Sequence, residues 1–181
     1  MSEPMPGGRR RVDRVLDPSF LDGLADLSLD GLRDRRAEAE QEEADLSYVR
    51  RLLQGRIDLV RAEQSRRSGE ASGSIVDRLA EILADSTRST HGSGRHITVE
   101  PSRVDDHRRH TEALAADAGI SDVTGRSDEE LAQALARLTE SEQMVSGVRR
   151  RVQDVMDSLT AEVTRRYRDG EADVANLLAE T

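Results

Sequence analysis

A chain of 181 residues with 35% charged side chains, 2% aromatic and no tryptophan is too poor in large apolar groups for a thick globular core, whereas an extended helical assembly needs only a narrow apolar seam. The lack of cysteine excludes a disulfide framework, a thiol nucleophile and a cysteine-ligated metal. No apolar run approaches the roughly 18 residues of a membrane span, no signal-peptide pattern is present, and a net charge of −9 argues against duplex nucleic acid as a partner, so the chain reads as cytoplasmic.

Residues 1–28 read as a disordered arm and a short helix. Pro4, Pro6, Gly7 and Gly8 precede the basic run Arg9 to Arg11, a composition that does not support a packed element. Asp17 followed by Pro18 is a helix cap followed by a residue suited to the first helical position; a short helix near 18–26 is expected, packed on the rest of the chain or docking a partner. Ser28 can cap a first long helix over 29–67, ending before Ser68 and Gly69.

Residues 68–126 form a linker of different composition. Ser74 and Asp77 resemble a capping box for a helix of about 75–85, with Ile75, Leu79, Ile82 and Leu83 on one face. A loop over 86–95 leads to a short extended segment at 96–100, with Ile97 and Val99 alternating and no clear partner strand, and Pro101 and Ser102 open a helix of about 103–118. Ser127-Asp-Glu-Glu130 is a full capping box for a second long helix over 127–168, stopping at Asp169-Gly170. In the C-terminal segment, 169–181, a last short helix is expected over 171–179 through Val174, Leu177 and Leu178. The fold class is therefore all-α, with two helices of about 40 residues pairing along matching seams and short accessory helices in the connection and at the ends. The connection permits either direction; an antiparallel pair would relate the two helices by an approximate two-fold axis.

The long helices share a repeat. Glu43, Ser47, Arg50, Gln54 and Asp58 return 99 residues later as Glu142, Ser146, Arg149, Gln153 and Asp157. At about 100° per residue these five positions fall within an arc of about 80°, one polar stripe four turns long. Leu46, Val49, Leu53, Ile57 and Val60 match Val145, Val148, Val152, Met156 and Leu159 as an apolar stripe centred about 100° away. Arg51 and Arg150 also match, on the flank of the polar stripe. Pairs spaced by three or four residues could simply brace a solvated helix, but two copies with the same order, including a serine that is mediocre in helix interiors, argue for a binding edge. Gly55 and Gly147, each unfavourable in a helix interior, mark either a close approach to the backbone or a neutral surface position.

Charge supports an anionic ligand. Residues 43–67 and 142–168 each carry six Arg against four acids, which leaves −13 on the remainder, so an anion would be held by these two strips and repelled elsewhere. The histidines His91, His96, His107 and His110 lack the further well-placed ligands of a metal site, and no catalytic triad, HExxH or phosphate-cradling glycine loop is present. No enzymatic activity and no metal are expected.

A helix pair with two copies of E-x3-S-x2-R-x3-Q-x3-D resembles the RsiG family of actinobacterial anti-sigma factors, with all ten positions intact. The resemblance implies an antiparallel coiled-coil hairpin that holds two molecules of cyclic di-GMP across the two motifs. It implies that the loaded protein sequesters WhiG, a flagellar-type sigma factor that drives sporulation genes in Streptomyces. Arg matches the O6 and N7 acceptors of guanine bidentately, a role for Arg50 and Arg149. Asp58 and Asp157 are suited to the guanine N1–H and N2–H₂ donors. Ser47, Ser146, Gln54 and Gln153 can reach phosphate or ribose. Glu43 and Glu142 orient an Arg or meet a guanine edge, and Arg51 and Arg150 neutralise phosphate or face the sigma factor. The competing reading is a structural coiled-coil adaptor without a nucleotide; a ligand sensor acting on DNA is disfavoured by the acidic surface.

Overall fold

A computed structural model describes residues 4–69 and 123–170 of the chain. The expected helices at 75–85 and 103–118, the extended segment at 96–100, the four histidines and the C-terminal helix lie outside the described residues. Among the described residues the fold is all-α: α1 (Arg11–Val15), two 3-10 turns at Pro18–Leu21 and Leu24–Asp26, α2 (Leu29–Arg67) and α3 (Asp128–Arg168). The two long helices pack against each other as an antiparallel hairpin, and none of the described helices is long and apolar enough to cross a membrane.

Local chemistry sets the helix ends. The Ser28 hydroxyl accepts from the Gly31 amide at 3.0 Å and caps α2. At the start of α3 the Ser127 amide donates to the Glu130 carboxylate at 2.8 Å, and the Glu130 amide donates back to the Ser127 hydroxyl at 3.2 Å, the reciprocal capping box. Both long helices stop in the same way. Gly69 and Gly170 each follow the last turn with φ of 75°, a left-handed conformation that glycine adopts without a Cβ penalty.

The chain divides into two compact units, residues 44–146 and residues 2–43 with 147–181. In the first, Leu46, Val49, Leu53, Ile57 and Val60 of α2 are buried with Leu131, Ala134, Leu138 and Val145 of α3. In the second, Leu32 and Ala39 are buried with Val148, Val152, Val155 and Leu159. The seam predicted from the repeat is thus the core, with one adjustment: Val155 is buried and Met156 is only half-buried.

The N-terminal segment differs from expectation. Residues 4–10, expected to be disordered, fold around Asp13, whose carboxylate accepts from the Met5 amide (2.9 Å), the Arg10 amide (3.1 Å) and the Arg10 guanidinium (2.6 Å). These donors, Arg10 foremost, hold the Asp13 carboxyl at about 2 despite burial. Helix α1 covers 11–15, and the expected helix near 18–26 is two 3-10 turns, the first capped by Asp17 onto the Ser19 amide at 3.0 Å. Val12 and Val15 are fully buried, and that apolar pair, spaced by three residues, gives α1 its place in the core of the second unit. Arg11 donates to the buried Glu42 at 2.9 Å, and Arg14 pairs with Glu38.

Candidate functional site

The antiparallel pairing exchanges partners between the two copies of the repeat. In the first unit, Arg50 Nε donates to the Glu142 carboxylate and to the Ser146 hydroxyl, both at 3.0 Å. Ser146 donates to the same Glu142 oxygen at 2.9 Å, and Gln54 reaches it at 3.4 Å. In the second unit, Arg149 Nη1 donates to Glu43 at 2.8 Å and Gln153 Nε2 to the same oxygen at 3.1 Å. Each cluster takes its Glu from one copy and its Arg and Gln from the other.

In both clusters the Arg and the Gln converge on a single carboxylate oxygen. The Arg and Glu side chains are only partly exposed, 33% and 18% for Arg50 with Glu142, and 23% and 12% for Arg149 with Glu43. In such settings a charge-assisted hydrogen bond is stronger than at an open surface. Arg149 Nε is buried with no acceptor, an unmet donor inside the second cluster.

The remaining predicted residues sit around these clusters. Ser47 is buried. Asp58 is half-exposed and lies 3.9 Å from Arg61, and Asp157 is exposed on α3; neither aspartate joins a Glu–Arg cluster. Arg51 and Arg150 are exposed cations. A Cβ built on Gly55 or on Gly147 meets nothing within 4 Å, so among the described residues no neighbouring segment approaches the backbone there. Among the described residues no group of acids or histidines could hold a metal ion.

A family profile described as RsiG-like matches residues 18–83 and 117–181. The chain belongs to the RsiG-like family. Membership suggests an anti-sigma factor role, and with it a sigma-factor partner. No curated protein matches the chain at a significant level.

The motif-based reading missed a continuation of the repeat. At the same offset of 99 residues, Glu63, Arg66 and Arg67 return as Glu162, Arg165 and Arg166. Extending the comparison of the two copies nine residues past Asp58 would have found them. Arg66 Nε and Nη2 fork both oxygens of Glu63 at 2.8 Å; Arg165 forks Glu162 at 2.9 and 2.8 Å. These forks, Arg66 and Arg165 first, bring the Glu63 and Glu162 carboxyls down to about 2.

Proposed function

We propose that this protein is an anti-sigma factor that binds cyclic di-GMP on its two polar stripes and, when loaded, sequesters the sporulation sigma factor WhiG. The observation that carries this reading is the exchange of partners: in each unit a Glu from one copy of the motif meets the Arg and Gln of the other. An Arg oriented by a carboxylate presents its remaining N–H groups in a fixed fork, the geometry that matches guanine O6 and N7. Family membership supports the sigma-factor half of the proposal.

The roles follow from donor and acceptor chemistry. Arg50 and Arg149 take the O6/N7 edge, with Glu142 and Glu43 as their orienting partners. Asp58 and Asp157, standing outside the Glu–Arg clusters, are available for the N1–H and N2–H₂ edge. Ser47, Ser146, Gln54 and Gln153 serve phosphate or ribose, and exposed Arg51 and Arg150 serve phosphate or the sigma factor. Two dinucleotide molecules across two clusters is the expected stoichiometry.

Ligand control requires that the loaded protein bind its partner better than the empty one. A tenfold difference takes about 1.4 kcal/mol, and linkage then requires sigma factor and dinucleotide to raise each other's affinity equally. The test is capture of WhiG with and without cyclic di-GMP, beside an Arg50→Ala/Arg149→Ala double variant. Capture only with ligand, lost in the variant, is the expected result. Capture indifferent to both would reject ligand gating, and no capture under any condition would favour the adaptor reading.

A further inference from the structure

The continued repeat does the same thing at two places. Its second arginine keeps its Nε on the shared glutamate, Arg67 on Glu63 at 2.7 Å and Arg166 on Glu162 at 3.1 Å. Its outer nitrogens then reach the chain that leads into the opposite long helix. Arg67 Nη2 donates to the carbonyls of Val123 (3.4 Å) and Thr124 (3.0 Å), and Nη1 to Asp128, the first residue of α3, at 2.8 Å. Arg166 Nη2 donates to the carbonyls of Leu24 (2.7 Å) and Ala25 (3.1 Å), just ahead of α2. Each contact lies within one unit, the Arg67 fork with the Arg50–Glu142 cluster and the Arg166 fork with the Glu43–Arg149 cluster.

We propose that Arg67 and Arg166 are positioning residues that fix the register of the helix pair, each in its own unit, and thereby hold Glu142 against Arg50 and Glu43 against Arg149. An apolar seam of Leu and Val specifies which faces meet but tolerates sliding by a turn, because one aliphatic side chain replaces another. A planar guanidinium anchored at Nε has no such tolerance. Its Nη2 must meet two particular carbonyls, Val123 and Thr124 for Arg67 and Leu24 and Ala25 for Arg166, and a slip of one turn, about 5.4 Å, breaks both. The neighbouring surface of the two copies has diverged, with Leu59 against Ser158 and Arg61 against Thr160, while Glu, Arg and Arg have not. The inference rests on the nucleotide-binding reading only for its second readout.

The chain has no cysteine, so labels can be placed cleanly. Spin labels on cysteines introduced at the exposed positions Arg61 and Gln133 report the register of the first unit directly. The full-length protein is compared with its Arg67→Ala variant and with a Ser127→Ala control that loses the adjacent cap but keeps the fork. The label distance is expected to be single and narrow in the parent and in Ser127→Ala, and broadened or displaced by about one turn in Arg67→Ala. Titration of the same unlabelled proteins with cyclic di-GMP is expected to show at least a fivefold loss of affinity for Arg67→Ala and less than twofold for Ser127→Ala, at matched loss of melting temperature. An unchanged label distance in Arg67→Ala overturns the inference, as does equal loss of affinity in the two variants. A parent protein that ignores the dinucleotide sinks the proposed ligand instead, and the label distance alone then decides the fork.

Discussion

Arg50 and Arg149 each hold a carboxylate that belongs to the other helix, which makes their removal a lesion in two places. Arg50→Ala strips Glu142 of its cation and leaves Ser146 and Gln54 as its partners among the described residues. With a third of the arginine exposed, solvent screening limits the loss of stability to about 1 kcal/mol, measurable by urea unfolding, while dinucleotide binding should fall by more than tenfold. The glycines separate two causes at the same scale. Since a Cβ on Gly55 or Gly147 meets no neighbouring atom among the described residues, Gly55→Ala and Gly147→Ala should each stabilise the free protein by about 0.5–1 kcal/mol. If the bound dinucleotide lies against that bare backbone, the same variants should bind it more weakly, and titration beside thermal melting reads both. Five polar types repeating in order could be seen in the sequence, and so could their common face. Which Glu meets which Arg could not, because that depends on the direction and register of the helix pair rather than on spacing within one helix.

Among the elements, α1 shows where sequence reading falls short. Its apolar content is two valines in five residues, too little periodicity to mark a helix, and the basic run ahead of it reads as part of a disordered arm. Its acceptor is buried Asp13, and the partners of Arg11 and Arg14 lie more than 20 residues away on α2. Gly8 is bound into the same arrangement: a Cβ there would come within 2.3 Å of the Asp13 carboxylate. Gly8→Ala should therefore displace the segment from Asp13, seen as faster backbone hydrogen exchange over residues 5–17 with α3 unaffected. The long helices were far more legible. Their caps at Ser28 and Ser127, their glycine stops and their buried seam all follow from short-range pattern, and burial at that seam sets the cost of Leu53→Ala at about 2–5 kcal/mol.

For the molecule as a whole, acid is the revealing solvent. Glu63 and Glu162 titrate near 2 in the folded protein, well below an ordinary glutamate, so the folded state binds fewer protons than the unfolded chain between those values. Stability from both forks is complete above about pH 4.5 and is lost as the pH falls towards 2. Melting temperature should decline through that window, and Glu63→Gln with Glu162→Gln should flatten the decline while lowering the plateau at neutral pH. Asp13 contributes in the same direction over a similar range.

The exchange of partners also shapes how substitutions should combine. Glu43 and Arg50 are neighbours in sequence but serve different clusters, whereas Glu43 and Arg149 are 106 positions apart and serve one. Two lesions in one cluster remove the same interaction and should be less than additive, whether both fall on one copy of the motif, as Arg50 and Gln54 do, or one on each, while lesions in different clusters, such as Glu43 with Arg50, should add. A pairwise mutational map would then show strong non-additivity between residues about a hundred positions apart, and almost none between the Glu and the Arg seven positions apart in one motif. A reversal such as Glu43→Arg would find its suppressor at Arg149→Glu, on the other helix, so that the heritable unit of the site is neither copy of the motif but one half of each.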